Sequence, residues 1–226
     1  MQYTEQRMME MTFKAVCFDM DGVLVNTMKD HVKAWNYAFG EQGHIISEDY
    51  FYELEGMPGM QTILHVNNRH LLKLSDTEQE EIYHNKRSHF IQYSTYAFYD
   101  ETVDAIRALK EAGIPIALAT GSRKEFVQEV LEKMRVSFDA VITGDDVEKG
   151  KPSPEPYEKV FKQFSYSAEE WIVVENAPLG IQAADDSGAY VLALLTTLPE
   201  EKLFRADEIL KDHGRLKEYL LRKLMG

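Results

Sequence analysis

Two aspartates stand two residues apart in Asp19-Met20-Asp21-Gly22-Val23, directly after the apolar run Phe13–Phe18. One such carboxylate can attack phosphorus or an activated carbon while the other handles a proton, and two anions this close need a cation or a shared proton. A hard divalent ion with oxygen ligands meets that need, Mg2+ being the natural choice where the substrate is a phosphate. The same residues also suit a solvated acidic turn, because Asp-Gly pairs form turns readily. Thr120-Gly121-Ser122 follows the apolar run Ile114–Ala119 and precedes a helix predicted over Lys124–Met134. Such a turn offers a hydroxyl and free backbone N–H groups to an oxyanion, or uses Ser122 only to cap the helix. Lys151 lies in Gly150-Lys151-Pro152-Ser153-Pro154, before a helix predicted over Glu155–Phe164, and can hold a phosphate or sit solvated in its loop. Glu175 and Asn176 end the run Trp171–Val174 and offer oxygen to a hard cation, with a solvated Glu175 and a helix-capping Asn176 as the plainer alternative.

Each of these groups follows a short apolar run, so the elements that position them are strands. The runs Phe13–Phe18, Ile114–Ala119, Ala140–Thr143, Trp171–Val174 and Tyr190–Leu194 alternate with amphipathic stretches of helical length. That alternation predicts an α/β fold, a Rossmann-like parallel sheet flanked by helices, with ligands bound beyond the carboxyl ends of the strands. The stretch 28–93 breaks the pattern: Lys29–Phe39, Glu48–Leu54, Met60–Leu72 and Asp76–Ile91 read as helices, and no strand intervenes. The expected organisation is a core of residues 1–27 and 94–226 with an inserted four-helix cap of residues 28–93. Asp212–Leu224 reads as a surface helix packing through its leucines.

Composition limits the function classes. Hydrophobic residues make up 44% and charged residues 28% of 226, which supports a folded core. With 25 Lys+Arg against 38 Asp+Glu the net charge is −13, which repels phosphate backbones and anionic lipid, so neither nucleic acid nor membrane is an expected partner. The single cysteine, Cys17, excludes an intrachain disulfide and a cysteine-based zinc cluster, fits a reducing cytoplasm, and should be an inert core residue. The N-terminal run MQYTEQRMMEMTF carries charge where a signal peptide needs an apolar stretch; part of it reads as a frayed extension or reflects start-site choice, and no function is assigned to it. A cytoplasmic monomer is expected.

The set Asp19-x-Asp21-Gly-Val, Thr120-Gly-Ser122, Lys151-Pro and Glu175-Asn176 resembles the four motifs of the haloacid dehalogenase superfamily and spans most of the chain, with FDMDGVLVNT and GKPSPEPY as its specific parts. An insertion directly after the first motif resembles the subgroup with a four-helix cap, the β-phosphoglucomutase-like phosphatases and mutases. The resemblance implies that Asp19 is the nucleophile, forming an aspartyl-phosphate, and that Asp21 protonates the leaving oxygen and then activates water. It implies that Thr120 and Lys151 hold the transferring phosphoryl group. Mg2+ would be held by Asp19, the Asp21 backbone carbonyl and Asn176, with Glu175 in the same shell or just outside it. Dehalogenating members lack the second aspartate, so Asp21 with Glu175 and Asn176 argues for phosphoryl chemistry. Many phosphatases of the subgroup carry Glu-Asp where this chain has Glu175-Asn176, leaving a neutral ligand of lower charge.

Substrate choice should lie in the cap. His31 and Lys86, at positions matching β-phosphoglucomutase-like proteins, are the expected substrate-binding residues beside Gly121 and Ser122, whereas Trp35 reads as core packing and Arg87 as a solvated charge. The loop Glu55-Gly56-Met57-Pro58-Gly59-Met60 corresponds to one that carries an arginine for a distal phosphate in mutases and many phosphatases of the group, and no arginine is present. The expected function is therefore hydrolysis of a small phosphorylated metabolite, of the sugar phosphate class. β-Phosphoglucomutase activity, inorganic pyrophosphatase activity (suggested by the run Glu-Asn-Ala-Pro-Leu-Gly at 175–180) and a non-enzymatic binder of Mg2+ and a phosphorylated effector are the alternatives. His44, His65, His70, His84, His89 and His213 read as surface or cap-packing residues.

Overall fold

The computed structural model describes residues 12–225; the N-terminal extension discussed above lies almost wholly outside them. Six parallel strands form one sheet in the order β5-β4-β1-β6-β7-β8. They are β1 (Ala15–Phe18), β4 (Ile116–Ala119), β5 (Ala140–Ile142), β6 (Trp171–Glu175), β7 (Tyr190–Leu194) and β8 (Glu208–Leu210). The residues of β1, β4, β6 and β7 are all buried, as expected of parallel strands covered on both faces, and this is why each reads in the sequence as an unbroken apolar run. β8 has no such signal: at the sheet edge, two of its three residues are only half-buried.

One face of the sheet packs on α5 (Asp100–Glu111), α6 (Lys124–Met134) and α9 (Leu216–Met225), through Val103, Ile106, Val127, Val130, Leu216 and Leu220. The other face packs on α7 (Glu155–Phe161) and α8 (Pro178–Asp186), through Tyr157, Val160, Ile181 and Ala184. The C-terminal segment is a 3-10 turn, His213–Arg215, leading into α9. The chain runs from β1 to β4 and β5 on one side, then returns to β6 on the other. Central β1 therefore lies at the point where strand order reverses, the place where an open α/β sheet forms its ligand crevice.

Between β1 and α5 come four helices, α1 (Met28–Glu41), α2 (Glu48–Glu53), α3 (Gly59–His70) and α4 (Asp76–Tyr93). They bury a cluster of their own, with Val32, Trp35, Phe39, Phe51, Ile63, Val66 and Ile82 at its centre. Ser75 and Glu78 form a reciprocal capping box that starts α4. A short antiparallel ribbon, β2 (Val25–Asn26) with β3 (Ala97–Phe98), ties the entry and exit of this insertion together. The insertion stands over the C-terminal end of β1.

Candidate active site

Asp19 is the first residue beyond β1, yet its N–H still bonds the Val174 carbonyl of β6 at 2.9 Å, so its side chain inherits the rigidity of the sheet. Thr120 is placed alike beyond β4, its N–H bonding the Ile142 carbonyl at 3.0 Å. After Asp19 the chain turns sharply, with the Met20 carbonyl accepting from the N–H groups of Val23, Leu24 and Val25. Gly22 takes φ +85°, and a Cβ there would run into the Asn176 carboxamide, so glycine is needed for both conformation and space.

Lys151 reaches from the loop before α7 into the sheet end, where it is 1% exposed. Its Nζ donates to Asp19 Oδ1 at 2.5 Å, Glu175 Oε1 at 2.6 Å and the Ala119 carbonyl at 3.2 Å, which uses all its N–H groups. Glu175 is as fully engaged. Its Oε1 also accepts from Tyr157 Oη at 2.8 Å, and its Oε2 accepts from the backbone N–H of Asn176 at 2.8 Å and of Ala177 at 3.1 Å. This carboxylate lies over the start of α8, where a side chain on Gly180 would collide with it.

Asp21 is held differently. Its Oδ1 accepts from the Thr27 hydroxyl and from His31 Nε2 at 3.2 Å, and its Oδ2 accepts from Ser122 Oγ at 2.8 Å. Ser122 thus serves the acid and not the helix, which begins at Lys124 with no side-chain cap from the preceding residue. Lys86 Nζ, which can only donate, bonds His31 Nδ1 at 2.9 Å, so the imidazole hydrogen sits on Nε2 and points at Asp21. The imidazole stacks on Phe90 with centroids 4.0 Å apart, and Lys86 lies over the rings of Trp35 and Phe90 at 5.1 and 5.0 Å. His31 and Lys86 therefore bear on Asp21 as well as on the cleft.

The charges do not balance locally. Burial, with Glu175 and Asp21 adding to it, pushes the Asp19 carboxyl up to about 8 against the pull of Lys151. Burial would lower the Lys151 amine, but Asp19 and Glu175 drive it upward and keep it an ammonium. Burial alone would raise the Asp21 carboxyl, yet His31, Thr27 and Ser122 hold it below its ordinary value. Burial, helped by Lys86, keeps the His31 imidazole below its ordinary value and so neutral near pH 7.

Glu55, in the loop between α2 and α3, is the residue that inspection of the sequence overlooked. It is 4% exposed, accepts from Asn176 Nδ2 at 2.7 Å and Thr197 Oγ1 at 2.9 Å, and burial drives its carboxyl well above the ordinary range. Gly56 follows it so closely over the core that a Cβ on Gly121 would lie 2.6 Å from the Gly56 carbonyl. Gly121 thus admits the cap loop. Thr27, Tyr157 and Thr197 were likewise missed, because Thr27 follows Asn26, Tyr157 precedes Glu158, and no local pattern marks them.

Between insertion and core lies a cavity of about 230 Å3 lined by Asp19, Asp21, His31, Glu55, Lys86 and Thr120, with Trp35 and Phe51 on its apolar wall. Trp35 is both buried in the helical cluster and part of this wall. Arg87 bonds Glu125 at 3.1 Å at the rim, a partly solvated ion pair between insertion and core. His213 also departs from expectation: it is buried, stacked on Tyr99 at 3.8 Å, because the turn before α9 packs against α5.

A divalent cation fits these residues. The carboxylates around Asp19 exceed the charge of Lys151, and Asn176 Oδ1 is buried without a hydrogen-bond partner. No cluster of three or more His, Cys, Asp or Glu suited to a metal occurs among the described residues, so an ion here needs a mixed oxygen set that includes this carboxamide.

The site is thus an acid pair at the end of the central strand of a parallel α/β sheet, covered by an inserted group of four helices. The chain belongs to the haloacid dehalogenase-like hydrolases, whose family model matches residues 16–194, and it is an enzyme of that family. It is similar to validoxylamine A 7'-phosphate phosphatase of Streptomyces hygroscopicus subsp. limoneus, 26% identical over 204 residues covering 88% of this chain and 94% of that protein. The phosphorylated carbohydrates phosphatase of Thermotoga maritima is 28% identical, covering 77% and 82%. Among solved structures, a protein of Bacteroides vulgatus provisionally named β-phosphoglucomutase superposes with a TM-score of 0.88 at 27% identity, covering 99% and 96%. No helix among the described residues is long and apolar enough to cross a membrane.

Proposed function

We propose that this enzyme is a Mg2+-dependent phosphatase that hydrolyses a small phosphorylated metabolite of the sugar phosphate class through an aspartyl-phosphate on Asp19. The observation that carries the reading is Asp19, which lines the cavity and is paired with buried Lys151, with Asp21 held beside it by Thr27, His31 and Ser122. The relative named as a phosphorylated carbohydrates phosphatase supports the substrate class.

In the first step an Asp19 oxygen attacks phosphorus, the bond from phosphorus to the leaving oxygen breaks, and Asp21 gives that oxygen a proton. Asp21 rests as the carboxylate, and the chain Lys86–His31–Asp21 can supply the proton it needs. One proton passes from Lys86 to His31 Nδ1 while another passes from His31 Nε2 to Asp21 Oδ1, leaving His31 neutral as before. In the second step Asp21 takes a proton from water, the water oxygen attacks phosphorus, and the bond to Asp19 breaks to release phosphate. Thr120 and Lys151 hold the phosphoryl oxygens, with Ser122 and Gly121 shaping the turn beside them.

Asp19, the Asp21 backbone carbonyl and Asn176 Oδ1 would hold Mg2+, which supplies charge neutralisation for phosphoryl transfer when bound. Glu175, with both oxygens taken by donors, anchors Lys151 and acts from outside that ligand set. The loop 55–60 carries no arginine to hold a second phosphate, which favours a hydrolase over a mutase.

The test is Mg2+-dependent phosphate release across sugar phosphates, nucleotides and pyrophosphate, for wild type and Asp19→Asn side by side. Release lost in the variant supports the reading. Release that survives the substitution overturns it, and isomerisation of β-glucose 1-phosphate without net phosphate would make the enzyme a mutase.

A further inference from the structure

Tyr157 is fully buried on α7, packed in the apolar layer beneath the sheet with Cys17, Val160 and Trp171. Phenylalanine would fill that space without a hydroxyl to desolvate, so the hydroxyl needs a reason. It donates to Glu175 Oε1, the same oxygen that receives Lys151. Lys151 and Tyr157 come from one loop-and-helix segment, and the ammonium stands 5.0 Å from the Tyr157 ring centroid.

We propose that Tyr157 is a positioning residue for phosphoryl transfer, acting through Glu175 on Lys151. The proposal rests on the reading of Lys151 as a holder of the phosphoryl group. Every N–H of that ammonium is engaged on Asp19, Glu175 and the Ala119 carbonyl. To receive a phosphoryl oxygen, Lys151 must release one of these partners. If it turns from Glu175, the buried carboxylate oxygen it leaves would be bare but for the Tyr157 hydroxyl, and a bare buried anion is costly. The hydroxyl therefore keeps Glu175 in place while Lys151 swings. Without it, Glu175 holds the ammonium back from the reacting group.

Tyr157→Phe keeps the ring and removes only the donor. With Asp19-dependent phosphate release from wild type established first, the variant is expected to lose roughly 10- to 100-fold in kcat, as befits a hydrogen bond to a charged group. KM should stay within about threefold and the melting temperature within a few degrees, as for loss of a group used only as the transition state forms. The second readout is a cycle with Glu175→Gln: a residue that acts through Glu175 has little further effect in that background, whereas a merely structural one costs the same in both. If Glu175→Gln does not fold, calorimetric titration of Tyr157→Phe with orthovanadate, which adopts the five-coordinate geometry of the transferring phosphoryl group, decides instead. Binding weakened about fivefold or more supports the proposal, and unchanged binding overturns it. An unchanged kcat, or equal losses in both backgrounds, also overturns it while leaving the phosphatase reading intact. Wild-type activity independent of Asp19 would instead overturn the reading beneath it.

Discussion

Replacing Lys151 with methionine keeps most of the buried volume and deletes one charge at the centre of the site. The lysine is 1% exposed, and it is the cation between Asp19 and Glu175, whose side chains are 7% and 1% exposed. Glu175 retains the Tyr157 hydroxyl and two backbone N–H groups after the change. Asp19 loses its ammonium and faces other carboxylates. Removing one partner of a buried ion pair costs about 3–5 kcal/mol. For a chain of this length each kcal/mol is worth about 2–4 °C, so the melting temperature should fall by roughly 6–20 °C. Lys162→Met is the control: its pair with Glu158 is 3.8 Å long with side chains 74% and 46% exposed, and its loss should leave the melting temperature nearly unchanged. Thermal unfolding of the three proteins by circular dichroism reads the difference directly. Added Mg2+ should raise the melting temperature of Lys151→Met more than that of wild type, because the ion then replaces the missing positive charge. A fall no larger than that of the control would refute the view that Lys151 neutralises this cluster.

Lys86 gives a pH dependence. Burial pushes its amine down to about 8, against the pull of Asp21 and with the help of Arg87. As the proton source for His31 and Asp21 it is loaded below that value and empty above it, so kcat/KM should fall as pH rises through about 8, and Lys86→Met should lose that limb of a pH–rate profile. Folding lowers this amine from 10.5, so between about pH 8 and 10.5 the unfolded chain holds more protons and this group's contribution to stability rises with pH. A kcat/KM that stays level to pH 9.5 would rule out the proton role. At Gly180, alanine would drive its methyl into a Glu175 carboxylate that four donors hold in place. Relief requires moving either α8 or Glu175, so Gly180→Ala should cost about 1–3 kcal/mol and most of the activity, and an active variant with the wild-type melting temperature would show that Glu175 is freer than its contacts imply.

Residues at the ends of buried strands were the readable part of this site, for a physical reason. A parallel strand covered on both faces must be apolar throughout, so a carboxylate, threonine or asparagine that breaks the run marks the sheet's ligand-binding edge. Asp19, Thr120, Glu175 and Asn176 announce themselves in that way. Lys151 does so through its proline-flanked loop. Edge strand β8 interrupts no apolar run and left no such mark. Glu55 belongs to a loop without periodicity, and the chain reveals its role only on folding, when it meets Asn176 and Thr197, 121 and 142 residues away. Tyr157 looked like any aromatic on the apolar side of a helix, because nothing in a one-dimensional pattern distinguishes a hydroxyl that faces Glu175 from one that faces water. The same limit explains Ser122: a serine just before a helix is a good cap in isolation, but Asp21, brought 101 residues along the chain to 2.8 Å, is a charged acceptor and wins the hydrogen bond. What the sequence carries locally is therefore the nucleophile and its neighbours on the sheet. The groups that tune them come from the cap and the opposite helices, and their selection follows from which buried charges remain unbalanced once the chain has folded.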